Sequence, residues 1–437
     1  MKKSSSLNDR IWPLVFLSCA LSIGNILFIP VIFYSSFQEV FQLTNTQIGN
    51  LTAAYASIAV PAYLVGGWVA DKFNAKKLML ISVFSTSLLI VWMSTIPNYR
   101  TLFIIFFMMS ISLGLLLWTP SEKLKRLLGN TFEQGRIGGI TAAIDGVITF
   151  IIVVGLSAVL GESLSTVTGM RILLLSLAAF YFISGVGLMI GYDYDKFKRL
   201  YGGKDGGAVD FGMIFRALKM PVTWIMATMC FGGYITSTAM NYFNPYLTTV
   251  YGMPVAFAAV YSAMLRYGFK IFATPIGGQV RDHLNDTFKV VTYTMIPTIV
   301  SLIILAIIPS NTSFLVVAII VSLLAVFFYR VGAGLTMVPL AELEVPSNTL
   351  GTVIGIAFFF GFCSDWFLPS LIGKSIDSFG GNAYYIIFSV AIIGSGLYIL
   401  GAYLLKREVH KQEVVKSRTE TNTVNNPEIT VAPEKIN

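Results

Sequence analysis

The stretch FIIFFMMSISLGLLLW, residues 103–118, holds sixteen consecutive residues without a charge. It lies in an apolar run over residues 101–127, which exceeds the roughly 20 residues that a helix needs to cross a bilayer. Backbone groups in hydrocarbon must find hydrogen-bond partners within the segment, so a continuous run of this kind predicts a helix. Membrane strands would instead alternate polar and apolar residues over about ten positions. The stretch therefore predicts an all-α membrane protein.

Eleven further apolar runs occur along the chain. The twelve predicted spans cover residues 11–36, 47–70, 77–95, 101–127, 136–160, 169–192, 220–243, 254–278, 287–308, 313–340, 350–374 and 382–406. A polar, glycine-containing segment separates the first six from the last six, and a polar tail follows. The predicted domains are an N-terminal six-helix bundle (1–192), a cytoplasmic linker (193–219), a C-terminal six-helix bundle (220–406) and a disordered cytoplasmic tail (407–437).

The composition excludes several classes of protein. Of 437 residues, 55% are hydrophobic and 12% charged, whereas soluble domains carry about 45–50% apolar and about 25% charged residues. A soluble enzyme is therefore excluded. The three cysteines lie far apart in apolar runs and there are two histidines, which favours neither a metal site nor a disulfide framework. We predict no catalytic residue, no metal and no cofactor.

The distribution of lysine and arginine predicts the orientation in the membrane. Of the 30 basic residues, 24 fall on the side of the N-terminus and its later loops, and only Arg100, Arg171 and Lys374 fall on the other side. Basic loops stay in the cytoplasm, so both termini are predicted to be cytoplasmic. The first run is too long for a signal peptide and is interpreted as an uncleaved helix. The net charge of +8 then reflects topology and anionic lipid, with no nucleic-acid partner.

An internal repeat divides the membrane region. Gly67-Trp-Val-Ala-Asp71 ends the second span, and Gly278-Gln-Val-Arg-Asp282 ends the eighth, so the two aspartates are 211 positions apart. Such a period indicates two copies of one unit. Parallel six-helix repeats are a recurrent transporter design, in which the solute site lies at the bilayer midplane between the copies.

The longer segment Gly67-Trp-Val-Ala-Asp-Lys-Phe-Asn-Ala-Lys-Lys77 resembles the loop signature of the major facilitator superfamily, G-x-x-x-D-(R/K)-x-x-x-(R/K)-(R/K). The resemblance covers essentially the whole membrane region and implies two six-helix bundles that work by alternating access. It also implies that the aspartate meets the positive end of the eleventh helix; a loop carboxylate with a purely topological role is the alternative. The implied cytoplasmic latch consists of Gly67, Asp71, Lys72, Gly278 and Asp282.

A narrower resemblance rests on LTNTQIGN (residues 43–50) and LGNTFEQGR (residues 128–136). These segments are similar to the YihN-like group of bacterial inner-membrane facilitators, which implies a multi-pass protein of the bacterial inner membrane. Other subfamilies fit less well. The fourth span lacks the arginine, and the fifth lacks the Gly-Pro run, of proton-driven drug antiporters. The second span lacks the arginine of nitrate transporters, and the first and seventh spans lack the basic residues of organophosphate exchangers.

Three cations within the predicted spans are the first candidates for solute contact: Arg266, Lys270 and Arg330. A buried charge costs roughly 2.5–3.5 kcal/mol on insertion scales, so such residues face a cavity or a partner. Arg266 lies twelve residues from Gly278, which is about 18 Å deep at 1.5 Å per residue, and Lys270 follows one turn later. Structural ion pairs, or snorkelling for Arg330, are the alternatives.

Two acids and several neutral side chains complete the predicted site. Asp145 and Asp365 are candidates for proton coupling or gating, and Asp145 is expected to pair with Arg266 or Lys270; a plain structural pair is the alternative. Five neutral residues are expected to shape the cavity, with helix packing as the alternative: Asn25, Tyr34, Tyr55, Tyr234 and Asn241.

The predicted function is secondary active transport of a small hydrophilic solute across the lipid bilayer. Three cations against two acids within the spans favour an organic anion or an acidic sugar derivative. The expected drive is a proton gradient or exchange with a second solute, because no phosphate-binding loop for ATP is present. The chain is expected to act as a monomer. Two alternatives remain open: a transporter of a neutral sugar or other metabolite, and a sensor or scaffold that has the fold without transport.

Overall fold

The computed structural model describes residues 7–129, 133–201, 211–343, 345 and 349–425, and every regular element in them is helical. The N-terminal part contains α1 (Leu7–Leu21), α2 (Ile29–Ile32), α3 (Tyr34–Phe41), α4 (Asn45–Lys72), α5 (Ala75–Met93), α6 (Tyr99–Met109), α7 (Trp118–Arg126), α8 (Gln134–Leu160) and α9 (Val167–Gly191). Two short helices follow, α10 (Tyr194–Tyr201) and α11 (Phe211–Lys219). The C-terminal part contains α12 (Pro221–Met240), α13 (Phe243–Tyr251), α14 (Val255–Ala263), α15 (Phe269–Leu284), α16 (Thr287–Ile307), α17 (Leu315–Ala333), α18 (Val338–Glu342), α19 (Leu350–Phe362), α20 (Leu368–Phe379) and α21 (Ala383–Asn425).

Eight helical segments of the described residues are long and apolar enough to cross a membrane. They correspond to nine of the twelve predicted spans, because the segment Leu350–Val414 includes both the eleventh and the twelfth. The prediction of an all-α chain is confirmed for the part that the structure describes. The number of twelve crossings and the orientation of the termini stay predictions.

Polar side chains begin the helices where the predicted loops end. Thr44 accepts a hydrogen bond from the backbone N–H of Gln47, whose side chain bonds back to the N–H of Thr44. Asn74, Asn98 and Asp286 cap α5, α6 and α16 in the same way, through side-chain oxygens. Each cap satisfies a backbone donor that has no partner inside the helix. These local interactions explain why the helices start at these residues.

Several predicted spans are interrupted by turns that are not α-helical. Asn25, Arg266 and Asp365, three of the predicted site residues, lie in such turns. Turns of this kind, π-helical ones above all, often occur at functional sites, because the extra or missing residue redirects the following side chains. The four interruptions are the 3₁₀ segments Ser22–Phe28 and Cys363–Trp366 and the π-helical segments Ser110–Leu115 and Met264–Gly268.

The C-terminal tail differs from the prediction. Helix α21 continues to Asn425, so residues 407–425, predicted to be disordered, are helical. An established apolar helix adds one backbone hydrogen bond for each further residue, without a new nucleation cost. Lys411 and Glu408 support this extension with an ion pair of 3.0 Å between Nζ and Oε2. Residues 426–437 lie outside the described residues.

Helix α4 of the N-terminal part packs closely against α20 of the C-terminal part. A Cβ atom on Gly49 of α4 would overlap with the carbonyl group of Pro369, and one on Gly373 of α20 would overlap with the carbonyl group of Asn45. Glycine at these two positions lets the helix backbones touch. The contact lies at the end of the protein where α4 begins, at Asn45, and α20 ends, at Phe379. This end is named the distal end below.

A partly buried ion pair joins α1 to the segment before α8. Arg10 Nη1 and Nη2 donate to the two carboxylate oxygens of Glu133 at 2.9 and 3.0 Å, and Nη1 also donates to the Leu128 carbonyl at 3.0 Å. We expect Glu133→Gln to lower the free energy of unfolding by about 1 kcal/mol, since the Glu133 side chain is one-third exposed and its charge is partly screened. Thermal unfolding in detergent would measure this. Glu122→Gln, in an exposed pair with Lys125, should change stability little; an equal loss in both variants would contradict the expectation.

Candidate functional site

Arg266 is held by neutral groups. It lies in the π-helical segment Met264–Gly268, and its Cζ atom is 3.0 Å from the ring centroid of Phe28 in the N-terminal part. Its Nη1 donates to Oδ1 of Asn241 at 3.2 Å. An arginine stacked on an aromatic ring is stabilised without losing its charge. The guanidinium thus keeps most of its five donors for another acceptor.

A cavity lies beside this arginine, between the N-terminal part and the C-terminal part. Val31 and Ile32 of α2 form its N-terminal wall. In this structure the cavity is small, about 20 Å³, and it is partly open to the outside. Its polar lining comes from the C-terminal part: Ser237, Asn241, Ser262, Arg266, Tyr329 and Arg330. Two guanidinium groups and several hydroxyl and amide groups therefore face one space.

The charge around the cavity is positive in the described part of the chain. Neither Arg266 nor Arg330 has a described carboxylate within the 4.0 Å of an ion pair. The Nε atom of Arg330 is buried and has no hydrogen-bond partner among the described residues. Asp365 attracts Arg266 from a longer distance, whereas Arg330 repels it. An anion in the cavity would relieve this repulsion.

The two candidate acids lie in different surroundings. Asp145 of α8 accepts a hydrogen bond of 3.0 Å from Nδ2 of Asn25, which also donates to Thr149 Oγ1 at 3.0 Å. Asp365 accepts a hydrogen bond of 3.0 Å from Thr238 Oγ1. Asn25 thus links α8 to the 3₁₀ turn of the first span, and Asp365 is tied to α12.

The expected ion pair between Asp145 and Arg266 is not formed in the structure. Nδ2 of Asn25 donates a hydrogen bond to Oδ1 of Asp145, and the guanidinium of Arg266 contacts Phe28 and Asn241 instead. Asp365 is an acid that does act electrostatically on Arg266. The side chain of Lys270 lies outside the described residues, so its part in the site stays a prediction.

None of the three candidate tyrosines lines the cavity of Arg266, although Tyr234 acts electrostatically on that arginine. Tyr34 is buried and donates from its hydroxyl to Oδ1 of Asn45 at 2.7 Å, close to the distal end. The hydroxyl of Tyr55 accepts a hydrogen bond from an indole N–H at 3.3 Å. The ring centroid of Tyr234 is 3.8 Å from that of Phe362. In this structure all three join neighbouring helices.

The predicted cytoplasmic latch is described only in part. The side chain of Asp71 and the surroundings of Gly67 lie outside the described residues. Lys72 is exposed, with its Nζ atom 5.9 Å from the ring centroid of the adjacent phenylalanine. The side chain of Asp282 is 77% exposed, and a Cβ atom on Gly278 would have no neighbour within 4 Å. Asp282 is therefore at the surface, and the latch stays a prediction.

Sequence reasoning did not select Phe28 and Ser237. Phe28 is one of 33 phenylalanines, and nothing in the sequence distinguishes the one that stacks on an arginine. Ser237 lies four residues before Asn241, one helical turn away on the same face. That spacing is the signal that could have identified it.

Comparisons with known proteins agree with this architecture. The family model of the Major Facilitator Superfamily matches residues 14–364. Inner membrane protein YihN of Escherichia coli (strain K12) is 26% identical over 388 residues, covering 86% of this chain and 90% of the relative. Inner membrane protein YqcE of the same organism is 24% identical over 370 residues, covering 84% and 87%. A bacterial homologue of the human lysosomal transporter Spinster, solved in an inward-facing and unoccupied conformation, superposes with a TM-score of 0.68 at 16% identity, over 92% of this chain and 99% of that one.

Proposed function

The chain belongs to the Major Facilitator Superfamily, and we propose that it is a secondary active transporter of a small organic anion. It is a multi-pass protein of the bacterial inner membrane and a carrier rather than an enzyme. In the proposal, twelve spans form two six-helix bundles with both termini in the cytoplasm, and the bundles alternate access to a site between them. The distal end would then face the periplasm.

The observation that carries the proposal is the pair Arg266 and Arg330 on one cavity. Two cations that share a cavity and have no described carboxylate within ion-pair distance are costly to keep in a low-dielectric site. A bound carboxylate, phosphate or sulfonate would offset this cost and would match the planar fork of a guanidinium. Lys270, in α15, adds a third cation to the site in the proposal.

The remaining lining favours a solute that also carries hydroxyl groups. Ser237, Ser262 and Asn241 line the same cavity and can donate and accept hydrogen bonds. An organic acid with hydroxyl groups or an acidic sugar derivative would satisfy both the arginines and these neutral side chains. These neutral polar side chains argue against an anion whose remainder is apolar, because such an anion would leave them without hydrogen-bond partners.

We propose a coupled drive in which Asp365 or Asp145 carries a proton or acts as a gate, with exchange for a second anion as the alternative. Asp365 interacts electrostatically with Arg266, so an anion that neutralises Arg266 changes the field at Asp365. The charge of the solute and the proton occupancy of Asp365 are then linked. Asp145, tied to Asn25, would respond to movement of the first span.

Thermal unfolding of the purified protein with a panel of solutes tests the proposal. We expect phosphorylated, carboxylated or sulfonated sugars to raise the melting temperature, while their neutral parent sugars do not. A ligand at 100 times its dissociation constant stabilises the folded state by about 2.7 kcal/mol. Uptake of the stabilising compound into proteoliposomes would then separate a transporter from a sensor. Stabilisation by neutral or cationic compounds alone would exclude the anion site.

A matched pair of variants ties the panel result to the cavity. Asn241→Asp places a carboxylate where Arg266 Nη1 now meets an amide oxygen at 3.2 Å, so it should abolish the shift caused by anions. Asn98→Asp adds the same charge at an exposed helix cap and should leave that shift unchanged. If both variants respond as the native protein does, the anion binds elsewhere.

A further inference from the structure

Asp377, near the end of α20, binds the first turn of α4 across the two parts of the chain. Its Oδ1 accepts hydrogen bonds from the backbone N–H and the side-chain Nδ2 of Asn45 at 3.0 and 2.7 Å. Its Oδ2 accepts hydrogen bonds from the backbone N–H and Oγ1 of Thr46 at 2.7 and 2.6 Å. One carboxylate therefore accepts four hydrogen bonds from two consecutive residues.

The first turn of α4 needs this carboxylate. The first backbone N–H groups of a helix have no partner inside it, and the positive end of the helix dipole attracts an anion. Thr44 satisfies only the N–H of Gln47. The N–H groups of Asn45 and Thr46 are satisfied by a residue more than 330 positions away, on the other side of the contact between α4 and α20. Opening of the distal end would break all four bonds together.

Among the described residues, two further hydrogen bonds between the two parts lie on the same side. Within the described residues, Ser35 meets Thr248 through hydroxyl groups 3.3 Å apart, and the side chain of Asn244 donates to the carbonyl of Ile32 at 3.0 Å. A further bond, between an indole N–H of the second part and a carbonyl near the middle of α4, measures 2.8 Å. The described contacts thus close the distal end, and Asp377 makes the largest number of these bonds.

We propose that Asp377 is a latch that holds the distal entrance closed and releases when that entrance opens. The inference rests on the proposed alternating access, because only a carrier that opens at this end needs such a latch. It also relates to the predicted latch at Asp71. Asp71 is a residue of the last turn of α4 (Asn45–Lys72), and Asp377 binds the first turn of the same helix. In the proposal each carboxylate holds the entrance on its own side of the membrane. Release of one latch and closure of the other would accompany each half of the transport cycle.

The experiment measures the distance across the distal end in lipid nanodiscs without any solute. Spin labels are placed at the exposed positions Glu162 and Ser310 in a background that lacks the native cysteines, and double electron–electron resonance gives the distance distribution. In Asp377→Asn one oxygen becomes an N–H donor that faces the donors of Asn45 or Thr46. We expect the ratio of open to closed molecules to rise at least tenfold.

The control is Glu39→Gln, which removes an exposed carboxylate in α3 and should leave the distance distribution unchanged. Thr46→Val, which removes a single donor to Asp377, keeps the test available should Asp377→Asn fold poorly, and it should raise the open fraction by a smaller factor. Native distance distributions in both variants would overturn the latch. Because no solute is present, this result is independent of whether the cargo is an anion.

Discussion

Replacing Arg266 with glutamine is expected to weaken binding of the anionic solute about 100-fold, because two charge-assisted hydrogen bonds of about 1.5 kcal/mol each would be lost. Binding of the strongest anion from the thermal panel, measured by calorimetry, and its uptake into proteoliposomes would give this factor. Arg266→Lys keeps the charge but loses the planar fork, so it should recover only part of the affinity. Arg330→Gln should weaken binding as well.

The melting temperature of the Arg266 variant distinguishes an anion-binding arginine from one that forms a structural ion pair. Arg266 has neutral partners in Phe28 and Asn241, so removing its charge relieves a desolvation cost and should not lower the melting temperature of the empty protein. A structural ion pair would show the opposite pattern, with stability lost and anion affinity kept. Arg100→Gln, on an exposed helix start, is the control that changes neither quantity.

The sequence places Arg266 within an apolar run but does not identify the side chains that contact it. The free-energy cost of burying a charge depends on the residue type and on its depth in the membrane. Both can be inferred from the position of the residue in an apolar run. The partner depends on side-chain direction, which the π-helical segment Met264–Gly268 changes relative to an α-helix. The expectation that Asp145 pairs with Arg266 or Lys270 assumed regular helices. The pair with Arg266 is not formed, and the pair with Lys270 stays a prediction. The stacking of Arg266 on Phe28 has no sequence signal.

The starts of helices can be predicted from the sequence, because the side chains of Asn74, Asn98 and Asp286 each accept a hydrogen bond from the backbone N–H three residues later. Asp377 was not, because its partner Thr46 is 331 residues away and a carboxylate between two predicted spans looks like an ordinary loop residue. Local chemistry can be read from the chain, whereas a contact between the two parts exists only after they have packed.

The same limit applies to close-packed glycines. The G-x-x-x-D pattern selects Gly278, yet a Cβ atom there meets nothing within 4 Å. The adjacent Gly277 is the one whose Cβ atom would overlap with the carbonyl of Val331. A one-residue difference rotates the position by about 100° around the helix axis, so the motif marks the segment but not the face that packs.

Gly373→Ala is expected to raise the ratio of molecules with an open distal end to molecules with a closed one by about 5-fold to 150-fold. The added methyl group would overlap with the carbonyl of Asn45, and overpacking of this kind costs about 1–3 kcal/mol. The cost arises only while α4 and α20 are in contact, so the protein escapes it by separating the two helices. The distance between labels at Glu162 and Ser310 should increase, and transport should slow because the distal entrance no longer closes fully.

The matched control is Gly396→Ala in α21, where a Cβ atom has no neighbour within 4 Å and alanine should favour the helix by up to about 1 kcal/mol. A lower melting temperature of Gly373→Ala with an unchanged distance distribution would mean that the contact serves the fold and not the closed state. Combined with Asp377→Asn, the substitution should add less than the sum of the two single effects. Once the methyl group has separated the helices, the hydrogen bonds of Asp377 to Thr46 are already broken, and their removal can shift the equilibrium little further.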